Sequence, residues 1–138
     1  MVERMNKENT LNNNFDLKAQ ANNELKSYLA ASDWPIRLKM ALACRKLASE
    51  SHAETLAGQI TSIDENKDIL TSSIVGGFAN ACEDTIIKIN KEIEVIEGIG
   101  IPNPGVRFHI WIYQERKDVR SIVHTHPPFA SALSMTGK

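Results

Sequence analysis

Two histidines one residue apart, His124 and His126, sit between the run Ser121-Ile122-Val123 and the pair Pro127-Pro128. Side chains alternate between the faces of a strand, so both imidazoles project to one side and Thr125 to the other. Ile122 shares the parity of the histidines, and Val123 that of Thr125. Proline has no N–H for a central ladder, so the strand is expected to stop directly after His126. Two imidazoles at the end of a strand, beside a loop, are placed to hold a metal ion or a substrate. The pair by itself serves either.

Other reactive side chains are less telling. Arg107 and His109 lie two apart on an expected helix, so they do not share a face; they read as a surface or packing residue and a hydrogen-bonded interior histidine. His52 and Glu54 occupy a polar stretch that could approach a site. Glu83-Asp84 reads as a capping pair. Gly58–Thr61 and Thr71–Ser73 offer hydroxyls and backbone N–H groups for an anion, and equally suit ordinary strand ends. Cys44 and Cys82 lack Cys-x-x-Cys spacing, which fits two reduced thiols in an intracellular chain, with Cys44 in a core.

The elements that position these residues follow from periodicity. Residues 1–15 read as a disordered tail, rich in Asn and charge, without the apolar stretch of a secretory signal. A domain follows over 16–138. Leu17, Ala21, Leu25 and Leu29 recur at four-residue intervals and predict a helix over 16–31. A second helix is expected over 34–49, capped by Ser32 or Asp33, with Pro35 in its first turn and Ile36, Met40, Cys44 and Leu47 as its apolar stripe. Short strands are expected at 59–63 and 69–72, and a hairpin pairs 85–89 with 93–97. Gly98–Gly105, with three glycines and two prolines, is a loop. A helix over 105–116, with Phe108, Trp111 and Ile112 as packing residues, a strand over 121–125 and a helix over 128–135 complete an α/β layered domain. The last strand and helix present apolar residues that seek a partner, so the domain is expected to be incomplete at its C-terminus or to oligomerise.

With 138 residues, 42% of them apolar and 24% charged, the chain suits one soluble domain with a core. Sixteen basic against seventeen acidic residues leave no electrostatic footprint for nucleic acid or an anionic membrane. No apolar run is long enough to span a bilayer.

Four ordered segments together carry a resemblance: 52–61 (His-Ala-Glu-Thr-Leu-Ala-Gly-Gln-Ile-Thr), 69–73 (Ile-Leu-Thr-Ser-Ser), 102–109 (Pro-Asn-Pro-Gly-Val-Arg-Phe-His) and 122–128 (Ile-Val-His-Thr-His-Pro-Pro). In these the chain resembles the class II aldolase/adducin superfamily, specifically the N-terminal part of the L-fuculose-phosphate-aldolase-like proteins. The superfamily also holds epimerases, decarboxylase relatives and the non-catalytic adducin head. The resemblance implies a three-layer α/β/α domain with a largely antiparallel central sheet, usually assembled as a tetramer. It also implies a divalent metal, often zinc and otherwise iron or manganese, held by three histidines.

Matched position by position, His124 and His126 fall on two of those metal ligands, and the third has no counterpart in this chain. Gly58 and Gln59 match a Gly-Asn pair that holds substrate phosphate. Ser72 and Ser73 fall in a second phosphate-facing loop. Asn103, with Pro104, replaces a Ser-Ser pair that contacts phosphate. Gly105 stands where the sugar-phosphate aldolases carry their acid/base Glu, so the catalytic acid/base is unassigned. The implied function is a cytoplasmic, metal-dependent lyase of carbohydrate metabolism. It would carry out aldol cleavage or decarboxylation of a small hydroxy-carbonyl or carboxylate substrate through a metal-stabilised enediolate. The alternatives are an adducin-like scaffold module and an inactive gene fragment.

Overall fold

The structure is a computed structural model, and it describes residues 17, 19–25, 33–53 and 56–137. The chain divides into two compact units, Met1–Trp34 and Pro35–Lys138. In the first, residues 17 and 19–25 are helical (α1), within the expected 16–31 helix. The remainder of that helix, the tail and Ser32 lie outside the described residues.

The second unit runs α2 (Ile36–Ser49), β1 (Gln59–Ile63), β2 (Ile69–Ser72), two single 3₁₀ turns (Phe78–Asn80 and Glu83–Thr85), β3 (Ile86–Ile89), β4 (Val95–Glu97), α3 (Val106–Glu115), β5 (Ser121–His124) and α4 (Pro128–Met135). The strands form one antiparallel sheet in the order β4-β3-β2-β1-β5. Period-two alternation sends successive residues to opposite faces. Ile60, Leu70 and Ile86 face α2, where they pack with Met40, Ala41 and Cys44. Ile69, Ile87 and Ile89 face α3 and meet Val106, Ile110 and Tyr113. The result is three layers, α/β/α, around a largely antiparallel sheet, as expected.

Local departures have local causes. Asp33 does not cap α2: Pro35 occupies the N-cap, and its carbonyl receives the Lys39 N–H at 3.1 Å, so Asp33 lies two residues too early. Glu83 and Asp84 do not cap through their side chains; the Thr85 hydroxyl ties itself to the Cys82 backbone instead. The β3–β4 turn runs to Glu94 because the Asn90 side chain accepts the N–H of both Glu92 and Glu94. On α3, Trp111 and Ile112 face outward, and the buried residues are Val106, His109, Ile110 and Tyr113. That set follows the i, i+3, i+4, i+7 stripe of one helix face, which Phe108, Trp111 and Ile112 miss.

At the end of α2, Ser51 takes a positive φ of 57°, and the His52 N–H closes back on the Leu47 carbonyl at 2.9 Å. This satisfies the last carbonyls of the helix and turns the chain towards the tip of β5. Ile87 is fully buried at the centre of the α3 layer. Ile87→Ala is expected to lower unfolding free energy by about 2–5 kcal/mol in urea titration, the usual cost of a large-to-small change in a packed core.

Candidate functional site

The site forms where β1 and β5 run out of partners. Gln59 pairs with His124 as the last rung of their ladder. Gly58 then turns away with φ of +89°, so β5 ends at His124, two residues before the expected stop at His126. A Cβ on Gly58 would lie 3.0 Å from the His124 carbonyl oxygen and 3.1 Å from the Ala53 Cβ. Only glycine gives both the left-handed turn and the close approach. Beyond the ladder the segment stays tied: the His126 N–H donates to the His52 carbonyl at 2.8 Å, and the His52 ring nitrogen Nδ1 lies 3.4 Å from the Thr125 hydroxyl.

The two imidazoles do share one side. Their ring centroids are 4.6 Å apart and the planes stack at 26°. Phe108 from α3 packs on His124 at 5.1 Å and on His109 at 4.7 Å. Burial, and then the neighbouring His126, lower the pKa of His124, which favours the neutral ring that metal coordination needs.

Beneath the pair runs a buried polar chain. The Thr61 hydroxyl stands 2.9 Å from His109 Nδ1 and 2.7 Å from the Tyr113 hydroxyl. The His109 ring is fully buried, and its Nε2 has no hydrogen-bond partner. The expectation of a fully hydrogen-bonded histidine is therefore met on one nitrogen only. Desolvation, with a smaller contribution from His124, pushes the His109 pKa down to about 4.

The residues matched to phosphate contacts divide into two groups. Gly58, Ser72 and Ser73 line one small cleft together with Phe78 and Gly77. The Ser73 hydroxyl is already occupied: its Oγ accepts the N–H of Val75 and of Ile101, both at 3.1 Å, while Ser72 is buried. Gln59 and Asn103 belong to the histidine end. Asn103 Oδ1 accepts the Gly105 N–H at 2.9 Å, and its amide reaches the carbonyls of Leu56 and Gly58 at 3.4 Å. The Gln59 amide lies 3.5 Å from His124 Nδ1. With its oxygen forward it accepts the Nδ1 proton and frees the Nε2 lone pair; with its nitrogen forward it does the reverse. Arg107 is exposed, and Glu54 lies outside the described residues.

Gly105 explains its own missing side chain. Its φ of −62° suits any residue, yet a Cβ there would lie 2.7 Å from Gln59 Nε2 and 3.0 Å from Oε1. The Gln59 amide fills the space that a side chain at 105 would enter.

The chain matches the model of the Class II Aldolase and Adducin N-terminal domain over residues 38–138. It belongs to the class II aldolase/adducin family. It is 30% identical over 96 residues to the L-fuculose phosphate aldolase of Methanocaldococcus jannaschii, covering 69% of this chain and 51% of that protein. It is 28% identical over 95 residues to the 5-deoxy-D-ribulose 1-phosphate aldolase of Bacillus thuringiensis serovar kurstaki, covering 67% of this chain and 44% of that one. Among solved structures it resembles the L-fuculose 1-phosphate aldolase of Glaciozyma antarctica (TM-score 0.70, 30% identity, 75% of this chain and 44% of that chain). The fold also matches YgbL of Escherichia coli, a putative aldolase/epimerase/decarboxylase (TM-score 0.66, 21% identity, 72% and 47% covered). This class II aldolase-family chain thus spans about half the length of the curated relatives it matches.

Sequence reasoning singled out the histidine pair and placed His52 in a stretch that could approach it, but missed two supports: Gln59 as a neighbour of His124 and the Thr61–His109–Tyr113 chain. The parity of Gln59, Thr61 and Ile122 carried part of that signal; the pairing of β1 with β5 did not show in one dimension.

Two outcomes are expected here. Gly105→Ala must push the Gln59 amide aside, so Gln59→Ala/Gly105→Ala should cost less than the sum of the single changes, with a coupling of roughly 1 kcal/mol in a double-mutant cycle. His109 is neutral in the fold and protonates near its ordinary pKa of 6.5 once unfolded, so its contribution is present above pH 6.5 and is lost as pH falls towards about 4. Across that window stability should drop by up to about 3 kcal/mol more in the wild type than in His109→Asn, measured by urea unfolding at stepped pH.

Proposed function

We propose that this chain supplies the histidine-bearing part of a class II aldolase-type lyase, with His124 and His126 as two ligands of a divalent metal. The observation that carries this reading is the stacked pair at the tip of β5, where two imidazoles on one side face past the last rung of the sheet. The donor set suits zinc, iron or manganese, and it supplies two ligands of such an ion. Among the described residues no third His, Cys, Asp or Glu joins them. A bound divalent ion supplies Lewis acidity towards a substrate oxygen. The chain's own residues do the rest. The Gln59 amide faces His124 Nδ1, Phe108 packs on the His124 ring, and His52 fixes the segment through the His126 N–H.

The substrate is a small hydroxy-carbonyl or carboxylate compound, cleaved by retro-aldol reaction or decarboxylated. The occupied hydroxyl of Ser73, and Asn103-Pro104 in a structural turn, favour a substrate without a phosphate. Gly105 offers no group to move a proton, so that role falls to solvent or to a residue elsewhere in the functional assembly. The same glycine favours a second reading, a binding module of adducin type without catalysis.

Zinc titration of the purified chain, followed by dialysis and metal analysis, separates the readings. One ion per chain is expected in the wild type, and His124→Ala and His126→Ala should each weaken binding at least tenfold while the fold is kept. Metal retained equally in both variants would sink the assignment. Metal binding without product from a panel of hydroxy-carbonyl and β-keto acid substrates would favour the binding module.

A further inference from the structure

At the end of the sheet opposite the histidines, three connections converge. The β1–β2 turn brings Lys67, the β3–β4 turn Lys91, and the α3–β5 connection Lys117 and Arg120. Together they rim a cavity of about 470 Å³, a size that accommodates small ligands. Its floor is apolar, with Ile63, Ile69, Ile110 and Val119 beneath the rim.

The charge on the rim is one-signed. No Asp or Glu lines the cavity. Two nearby carboxylates are committed elsewhere: Asp64 pairs with Lys88 at 2.9 Å, and Asp118 with Arg116 at 2.7 Å. Lys67, Lys91 and Arg120 take part in none of the ion pairs formed among the described residues. Lys117 differs, since its ammonium donates to the Tyr113 carbonyl at 3.3 Å and so offsets the negative end of α3. Three uncommitted cations therefore converge from three connections over an apolar floor. Unpaired cations around a sheltered concavity favour an anion there, and the floor rewards an apolar body attached to it.

We infer that this cavity binds a small amphiphilic anion, a phosphate monoester of an aryl or short alkyl group, at a site separate from the histidine pair and independent of its function. The three cations take the phosphate oxygens and the isoleucines take the ring or chain.

The test is a titration of the whole chain with phenyl phosphate, followed by amide NMR shifts, with inorganic phosphate run in parallel. Saturable shifts are expected at Ile63, Lys91, Tyr113 and Arg120, with none at 124–126. Lys67→Gln/Arg120→Gln should weaken binding at least tenfold, and Lys91→Gln by a smaller factor. All three positions are exposed, and unchanged amide dispersion shows that each variant keeps its fold. Inorganic phosphate should bind at least tenfold more weakly than the ester. Equal binding of the two ions would reduce the site to an adventitious ion only. That result, a lack of saturation, shifts confined to the histidine end, or affinity unchanged in the double variant would each overturn the inference.

Discussion

The antiparallel pairing of β1 with β5 is the constraint on which the site depends. Gln59 stands opposite His124 because Thr61 stands opposite Ile122 and Ser62 opposite Ser121. A slip of one residue would send His124 to the face of α2 and Val123 to the face of α3. The register is held from both sides. On one face Ile122 packs into the layer of α3. On the other, the Ser121 and Ser62 hydroxyls meet at 3.0 Å. At the open end, Gly58 brings the chain so close to the His124 carbonyl that no side chain fits between.

The polar interior beneath the histidines follows from the same pairing. A sheet covered on both faces is ordinarily apolar on both, yet Thr61 and Thr71 sit fully buried side by side on the face of α3. The Thr61 hydroxyl turns that cost into a link, joining Tyr113 and His109 in one chain. What remains is one orphaned ring nitrogen on His109, a buried polar group of the kind that functional sites retain at a cost in stability. Its lowered pKa keeps the ring neutral beside His124, so no positive charge forms there to repel a bound cation.

Much of this was legible in one dimension. The bounds of β1, β2 and α4 and the end of α2 follow from periodicity and from Pro128, because each is punctuated by residues that stop it; α2 starts at Ile36 and not at 34, since Pro35 takes the N-cap. The phase of α3 was not, since Phe108, Trp111 and Ile112 are as apolar as the residues that face the sheet; the inward side is the one whose Val106, Ile110 and Tyr113 pack on the sheet and whose His109 and Tyr113 meet Thr61. The histidine pair was visible because residues two apart in an extended segment share a side. The contacts of Gln59 with His124 and of Asn103 with the turn around Gly105 were not legible, since the resemblance implied only substrate contacts for these two residues. Those contacts bridge 65 residues between Gln59 and His124, and sequence spacing carries no trace of them.

The proposed ligand pair is His124 with His126, and His109, close by, is no part of it. Long-range proton–nitrogen NMR of the histidine rings, before and after one equivalent of zinc, tests it most directly. A ring nitrogen of His124 and one of His126 should move together to the shift of a metal-bound imidazole, with both nitrogens of His109 unchanged. Movement of one ring alone, of neither, or of His109 in place of His126 would contradict the account.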